Sequence, residues 1–356
     1  MAENSRIQWT HHTFNPWRGC SKVSAGCANC YAETTSNRNH GIFGTWGPSG
    51  TRVVASESQW REPLKWNRQA EKMGVRRRVF CASLADVFED WDGRMRSSKG
   101  LSLQKSIIEK HKWTENTQTF GPEDGKGLTM QDVRMRLFEL IEQTPHLDWL
   151  LLTKRPENIR KFAILRWENR FPQNVWIGTS AENQEMFDKL VPHLLKVPAA
   201  VRFLSCEPLL GPIAMEKITL RANGQNPNEL SNDLGDWVSP LIGAFSDSPL
   251  INWVIAGGES GNKARDCNIE WVRSIVKQCK AAGTSVFVKQ LGERLNVAND
   301  SGMEWPHHGD EWETIPENYM PRFQGERVSL HMAGKGGNIE EWPEDLRIRQ
   351  FPVVKK

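Results

Sequence analysis

The stretch DWLLLTKRPENI, residues 148–159, shows how this chain is built. Its apolar run is continuous rather than alternating, which is the pattern of a parallel strand buried on both faces. The run ends in Thr153 and Lys154, and Pro156 then stands where the first residue of a helix is expected. This stretch therefore predicts a buried strand, a polar turn and a helix in direct succession.

Buried strands of the same kind are predicted at other points along the chain, each with a turn and then a helical pattern. The full set is Ile7–Phe14, Val79–Ser83, Trp149–Thr153, Val175–Thr179, Val201–Cys206, Trp253–Ala256 and Val286–Lys289. Helix signals lie between them: Thr129 with Asp132 resembles a capping box, and Asn268 precedes a helix that ends at Gly283 and buries Cys279. The alternation predicts an α/β fold, a partial (β/α)6 TIM-like barrel of parallel strands.

Three polar segments interrupt this rhythm and suggest the domain organisation. Residues 97–128 and 221–250 are expected to be polar loop insertions in a barrel domain that spans residues 1–292. Residues 293–356 are expected to form a small C-terminal extension that packs on the barrel. Its tryptophans, Trp305, Trp312 and Trp342, are expected to line a surface cleft.

Composition excludes some classes of protein. The chain has 356 residues and a net charge of only +3, which does not indicate a nucleic-acid-binding surface. The run Arg76–Arg78 could contact phosphate, although a solvated helix end is the interpretation we favour. No signal peptide or membrane-length apolar run is expected, and seven cysteines, an odd number, favour the reducing environment of the cytoplasm.

The most informative motif is NPWRGCSKVSAGCANCYAE, residues 15–33. Cys20, Cys27 and Cys30 follow a Cys-x6-Cys-x2-Cys spacing, and thiolates favour zinc or an iron–sulfur cluster over hard cations. Three protein ligands leave one metal position open for chemistry. His11, His12 and His40 are close enough in sequence to be considered as a fourth ligand.

Polar residues also follow nearly every predicted strand. Because functional side chains of parallel α/β folds gather at the carboxyl ends of the strands, we expect these residues and the cysteine loop to share one rim. Helix capping is the simpler explanation for Ser180 and Asn183, whereas a charge at a buried barrel mouth needs a partner. The candidate functional residues on this argument are Ser83, Asp86, Lys154, Ser180, Glu207, Glu259, Arg265 and Lys289.

Several motifs together resemble a known family. NPWRGC…CANCYAE is similar to the start of radical S-adenosylmethionine (SAM) enzymes, particularly the spore-photoproduct-lyase-like branch. The set that continues through CASLADVF, LLLTKRPENI, VWIGTSAEN, LSCEPLLGPI, WVIAGGESGNKAR and FVKQLG resembles phage and bacterial three-Cys-motif radical-SAM-like proteins. The chain has three more residues before Cys27 than the common Cys-x3-Cys-x2-Cys spacing, and Asn29 stands where an aromatic residue is common.

The resemblance implies a [4Fe–4S] cluster on Cys20, Cys27 and Cys30, with SAM at the open iron. It implies a hydrogen-abstracting enzyme that needs a reducing electron donor and acts on a nucleic acid or nucleotide. On this hypothesis the SAM-binding residues are Asn29, Tyr31, Ser83, Asp86, Ser180 and Glu207, and the catalytic residues are Lys154, Glu259 and Arg265. Two alternatives remain: a non-catalytic zinc scaffold completed by a histidine, Cys206 or Cys267, and an iron–sulfur protein without SAM.

Overall fold

The structure is a computed structural model that describes most of the chain. The described residues are 3–93, 95–96, 128–168, 170–215, 218–219, 237–238, 250–298, 322–324, 327–331 and 333–353. The predicted insertions at 97–128 and 221–250 lie almost entirely outside them, as do Trp305 and Trp312. Within these residues, no helix is long and apolar enough to cross a membrane.

Fifteen strands are present in the described residues, and seven of them form one sheet. They are β1 His12–Phe14, β2 Trp17–Arg18, β3 Val53–Val54, β4 Arg77–Cys81, β5 Leu147–Thr153, β6 Val175–Ser180, β7 Val201–Cys206, β8 Ile218–Thr219, β9 Trp237–Val238, β10 Trp253–Gly257, β11 Cys267–Asn268, β12 Ser285–Gln290, β13 Arg294–Ala298, β14 Arg322–Gln324 and β15 Arg327–His331. The seven-stranded sheet has the order β1-β4-β5-β6-β7-β10-β12. Each of the seven overlaps a strand predicted from the sequence.

Helices occupy most of the connections between these strands. They are α1 Tyr31–Arg38, α2 His40–Phe43, α3 Glu57–Lys72, α4 Met130–Glu142, α5 Ile159–Trp167, α6 Gln184–Leu195 and α7 Ile269–Ala282. Neighbouring strands of the sheet run parallel, as in β4 with β5 and β10 with β12. The predicted fold class, an α/β fold with the parallel strands of a partial TIM-like barrel, is confirmed.

The chain divides into two compact units. The first comprises residues 1–178 and 197–200, and the second comprises residues 179–196 and 201–356. The predicted boundary between a barrel domain and a C-terminal extension at residue 292 stays a prediction.

The first unit packs aromatic residues between α3 and the strands. Helix α3 buries Trp60, Pro63, Trp66, Asn67 and Ala70, a spacing that places them on one face. The Phe14 ring lies 5.1 Å from Trp60 and 5.7 Å from Trp149, both edge-on. The tryptophans of this unit therefore pack mainly as core residues.

The basic run Arg76–Arg78 was predicted as a solvated helix end, and this is wrong. Strand β4 begins at Arg77. Arg76 donates to Asp148 Oδ1 through Nε and Nη2, at 2.9 and 2.6 Å, and Arg78 Nε donates to the Trp9 carbonyl at 3.1 Å. The run is therefore the start of a strand, with two of its guanidinium groups held by the protein.

The second unit confirms the predicted helix signals around α7. The Asn268 side chain accepts from the Glu270 N–H at 2.9 Å, and Gly283 ends the helix in the left-handed conformation. The stripe Val272, Ile275, Val276 and Cys279 is buried, as predicted.

The C-terminal segment of the second unit covers the edge of β12. The Val288 N–H donates to the Ile348 carbonyl and the Gln350 N–H donates to the Val286 carbonyl, both at 2.9 Å. Trp342, which was expected to line a surface cleft, is instead fully buried. This correction has a simple cause: the segment adds to the edge strand, and its apolar side chains cover the sheet.

Candidate metal centre

The cysteine loop, residues 19–31, is joined to the loop that follows β4. The Gly19 N–H donates to the Leu84 carbonyl at 3.0 Å, and Gly19 pairs with Ala85 in a parallel bridge. Gly19 has φ +110°, and a Cβ atom there would lie 2.4 Å from the Thr51 carbonyl oxygen. Glycine is therefore required just before Cys20, because the backbone passes too close for a side chain.

The other two cysteines lie on a short 3-10 turn and at a helix N-terminus. Cys27 ends the turn Ala25–Cys27, and its Sγ lies 3.8 Å from Ser24 Oγ. Cys30 is the N-cap residue of α1. Lys22, which lies between Cys20 and Cys27, forms an ion pair of 2.6 Å with Glu33 of α1.

Arg155 connects the loop to the end of β5. Its Nη1 lies 3.6 Å from Cys20 Sγ and 2.9 Å from Asp86 Oδ2. Its Nη2 donates to the Ser21 carbonyl at 2.8 Å and lies 3.4 Å from Glu89 Oε1. One guanidinium group thus contacts two residues of the cysteine loop and two carboxylates.

Arg52 completes what we call the arginine–carboxylate network, which consists of Arg52, Asp86, Glu89 and Arg155. Arg52 binds both oxygens of Glu89, at 2.7 and 2.8 Å, and also donates to Ser21 Oγ at 2.9 Å. The side chains of Arg52 and Glu89 are buried, with 0% and 2% exposure. Two positive and two negative groups share this buried site, so their charges balance.

The carboxylate of Asp86 is fully occupied by donors from its own unit. Oδ1 accepts from the Phe88 N–H and from Thr153 Oγ1, at 2.9 and 2.7 Å. Oδ2 accepts from the Lys154 N–H and from Arg155. Asp86 therefore orients the end of β5 relative to the loop after β4.

The surroundings of Cys20 and Cys30 favour protonated thiols. Burial, with the charges of Asp86 and Glu89, raises the pKa of Cys20 to about 12 against the opposing effect of Arg155. Burial also raises the pKa of Cys30, against the backbone N–H groups of Glu33 and Ala32 at the start of α1. A metal that binds here must displace protons from these thiols.

The three cysteines fit an iron–sulfur cluster in donor chemistry, but they are not arranged around a single ion. All seven cysteines are free, and no group of three or more His, Cys, Asp and Glu in the described residues is placed to hold a metal ion. A tetrahedral zinc ion would need its sulfurs only about 3.8 Å apart, given a Zn–S bond of about 2.3 Å. A [4Fe–4S] cluster bonds each thiolate to a different iron and so tolerates wider spacing.

Two of the candidate histidine ligands for zinc, His11 and His12, are engaged elsewhere. His11 Nδ1 accepts from the Arg78 N–H at 2.9 Å, and the His12 ring stacks on Trp66 at 4.4 Å. His40 Nδ1 lies 3.2 Å from the Gly44 carbonyl oxygen. Cys206 and Cys267 are fully buried residues of the second unit. The zinc alternative therefore gains no ligand from His11 or His12.

In the first unit, the structure places several predicted site residues beside the cysteine loop. Tyr31 OH donates to the Ser83 carbonyl at 2.7 Å, and the residue is 59% exposed. Asn15 Nδ2 donates to Ser83 Oγ at 3.1 Å. Asn29 is half-buried within the loop. The backbone N–H of Lys154 donates to Asp86 Oδ2 at 3.1 Å.

In the second unit, the predicted residues form two ion pairs. Glu259 is buried and accepts from Arg265 through N, Nε and Nη2, at 2.8, 2.8 and 2.7 Å. Glu207 pairs with Lys289, and both side chains are partly exposed. Ser180 is buried at the end of β6, and Asn183 caps α6 by accepting from the Met186 N–H at 3.0 Å. Glu207 directly follows β7 and Glu259 is the second residue after β10, and each has a cationic partner.

Sequence reasoning missed the residues that hold the loop. Arg52, Glu89 and Arg155 were not identified as candidates, although Arg155 follows the predicted Lys154 directly. Another buried arginine, Arg134, donates to the carbonyls of Val87 and Glu89 at 2.7 and 2.8 Å. The available signal was the charge-rich run Glu89–Asp90 after an apolar segment, since a buried carboxylate needs a cation nearby.

Fold and site together define an α/β protein with parallel strands and a three-cysteine loop anchored by buried ion pairs. The chain belongs to the family described as protein of unknown function (DUF5131), whose profile matches residues 4–120 and 124–328. No curated protein and no solved structure matches the chain.

Proposed function

We propose that this protein is a radical SAM-type enzyme that holds a [4Fe–4S] cluster on Cys20, Cys27 and Cys30. The observation that carries the proposal is the anchoring of the cysteine loop. Three free cysteines lie within eleven residues, and the first is bound by a buried, charge-balanced network. Such outer partners orient metal ligands in metalloproteins, and a loop without a ligand role has little need of them.

The cofactors would supply the chemistry, and the chain would supply orientation and exclusion of water. When bound, a reduced cluster and SAM would supply radical chemistry for hydrogen abstraction. Cys20 is the ligand that the protein holds most firmly. Tyr31, tied at its hydroxyl to the Ser83 carbonyl and largely exposed, offers an aromatic face on which an adenine could stack.

The remaining predicted residues take narrower roles in the proposal. Asp86 acts through Arg155 and the end of β5 rather than by contact with SAM, because its oxygens are already occupied. Asn29, Ser83, Ser180 and Glu207 stay proposed SAM ligands, and Lys154, Glu259 and Arg265 stay proposed catalytic groups. A nucleotide or nucleic acid is the proposed substrate, and the reaction would need a reducing electron donor. The cytoplasm is the proposed location, since thiols must stay reduced.

The test is SAM cleavage by protein purified and reconstituted without oxygen. The dithionite-reduced, iron-loaded wild type should release 5′-deoxyadenosine and methionine slowly even without substrate. Cys27→Ala should release neither, whereas Cys279→Ala, which changes a core residue of α7, should retain the reaction. Absence of 5′-deoxyadenosine from iron-loaded wild type would contradict the SAM part of the proposal.

A further inference from the structure

Arg155 holds Cys20 and Ser21 at two points with one planar group. Nη1 approaches Cys20 Sγ at 3.6 Å, and Nη2 donates to the Ser21 carbonyl at 2.8 Å. A lysine has a single ammonium group and cannot reproduce two diverging donors with this fixed separation. The contact therefore depends on the guanidinium itself and not only on its charge.

The guanidinium of Arg155 is held in one orientation by groups that are themselves held. The Arg155 N–H donates to Thr153 Oγ1 at 2.9 Å, and Thr153 Oγ1 donates to Asp86. Glu89, on the other side, is bound by both Nε and Nη2 of Arg52. Because each partner has little freedom, the N–H that points to Cys20 is preorganised.

The same two residues of the loop are also held from the other direction. The Gly47 N–H donates to the Cys20 carbonyl at 3.0 Å, and Arg52 Nη2 donates to Ser21 Oγ at 2.9 Å. Cys27 and Cys30 have local partners instead, on their own turn and at the start of their own helix. The fold therefore holds the loop at Cys20 and Ser21 and again at the Tyr31 hydroxyl, whereas the contacts of the Cys27 and Cys30 residues themselves are local.

We propose that Arg155 is a positioning residue that holds Cys20 as a preformed ligand and, through its N–H···S contact, sets the reduction potential of the bound cluster. The positioning half rests on the geometry of the protein alone, and the potential-setting half also rests on the proposed function. A cationic hydrogen-bond donor beside a ligand sulfur stabilises the more negative, reduced cluster. Arg155 should therefore raise the potential.

The positioning half can be tested on the reduced protein without any cluster. Iodoacetamide labelling of the native protein, mapped residue by residue by mass spectrometry, reports how strongly each thiolate is stabilised by its neighbours, because alkylation needs the thiolate. Arg155→Met should label at Cys20 more slowly relative to Cys27 by about tenfold, the factor that corresponds to losing one hydrogen bond from a charged donor. Arg155→Lys should also slow Cys20 labelling, because one ammonium group cannot make both contacts, and it keeps a positive charge in the buried network if Arg155→Met fails to fold.

Arg134→Lys is the matched control for labelling. Arg134 is a buried arginine of the same unit that binds carbonyls of the loop after β4 and stacks 3.8 Å over Phe162, without a contact to the cysteine loop. Its substitution should leave the ratio of Cys20 to Cys27 labelling unchanged. An unchanged ratio in folded Arg155→Lys would overturn the positioning role, as would equal slowing at all three cysteines.

The potential-setting half is tested by redox titration of the reconstituted cluster, followed by electron paramagnetic resonance. Arg155→Met should shift the midpoint potential to more negative values, and Arg155→Lys should lie between this variant and the wild type. A merely structural role would lower cluster content and leave the potential of the remaining clusters unchanged, and this result would overturn the inference. A wild type that takes up no cluster would overturn the proposed function and this half, while the labelling result would still decide the positioning role.

Discussion

At the scale of single residues, the ion pair between Arg52 and Glu89 is the most deeply buried interaction near the cysteine loop. Removing one partner of such a pair leaves an uncompensated charge in the interior. We expect Glu89→Gln to lower the free energy of unfolding by about 3–5 kcal/mol, measured by urea denaturation at neutral pH.

The exposed pair Lys161–Asp90 offers a matched control in the same unit. Both of its side chains are 58% exposed. Lys161→Met should change the free energy of unfolding by at most about 1 kcal/mol. Equal effects of the two substitutions would contradict the view that the arginine–carboxylate network is a buried structural centre.

His11 gives the stability of the protein a defined pH dependence. Burial and the neighbouring charges of Arg78, Arg77 and His12 lower its pKa from 6.5 to about 4 in the folded state. Its Nδ1 must also stay unprotonated to accept from the Arg78 N–H. Between pH 4 and 6.5 the unfolded chain therefore binds more protons, so stability should fall as the pH drops through this window.

Urea denaturation of the wild type and of His11→Asn across this range tests the expectation. Asparagine keeps an acceptor but does not titrate, so the variant should lose less stability between pH 6.5 and 4. Some slope should remain, since burial also lowers the pKa of His12. Parallel curves for the two proteins would show that His11 does not titrate as the structure implies.

At the scale of elements, Gly258 shows why glycine is needed directly after β10. A Cβ atom at Gly258 would lie 2.3 Å from the Leu291 carbonyl oxygen and 2.8 Å from Gly292 Cα. We expect Gly258→Ala to destabilise the protein by about 1–3 kcal/mol, the usual cost of overpacking.

Gly211→Ala provides the comparison for Gly258→Ala in thermal unfolding experiments. A Cβ atom at Gly211 would meet Asn183 Cβ at 3.4 Å, an ordinary contact. Its effect should stay within about 0.5 kcal/mol. If both variants unfold at the same temperature as the wild type, Leu291 and Gly292 do not approach Gly258 closely in solution.

The C-terminal segment is a structural part of the second unit and not an appendage to it. Trp342 and Leu346 are fully buried, and Trp342 Nε1 donates to the Gly336 carbonyl at 2.9 Å. Trp342→Ala should cost about 3–5 kcal/mol in the free energy of unfolding, as other large core truncations do.

Val353→Ala is the control for Trp342→Ala in urea denaturation, because Val353 is 90% exposed. It should leave the unfolding curve unchanged. A Trp342→Ala variant as stable as the wild type would mean that the segment does not cover the edge of β12.

At the scale of the whole molecule, the sequence predicted the strands because their signals are local. Continuous apolar runs marked six of the seven strands of the large sheet, all but β1, and caps such as Asn268 and Thr129 marked helix starts. The arginine–carboxylate network could not be predicted in the same way. Arg52 and Glu89 are 37 residues apart, and only the folded chain shows that they meet.

Lys154 and Arg155 show a second limit of sequence reasoning. Both are cationic residues after β5, and the sequence does not say which side chain turns towards the cysteine loop. The structure buries Arg155 beside Cys20 and leaves Lys154 half-buried. The same limit applies to Trp342, since a tryptophan in a polar segment can cover a sheet edge as readily as it can line a cleft.

The central claim is that Cys20, Cys27 and Cys30 together hold a [4Fe–4S] cluster. Its most direct test is the iron, sulfide and zinc content of protein purified and reconstituted without oxygen, with Mössbauer spectra of the iron-57-labelled sample. The account predicts about four irons and four sulfides per chain with the spectrum of a [4Fe–4S] cluster, because three thiolates can bind three irons and leave the fourth open. Cys27→Ala should lose this cluster and Cys279→Ala should keep it. One tightly bound zinc per chain and no sulfide, or full cluster content in Cys27→Ala, would contradict the claim.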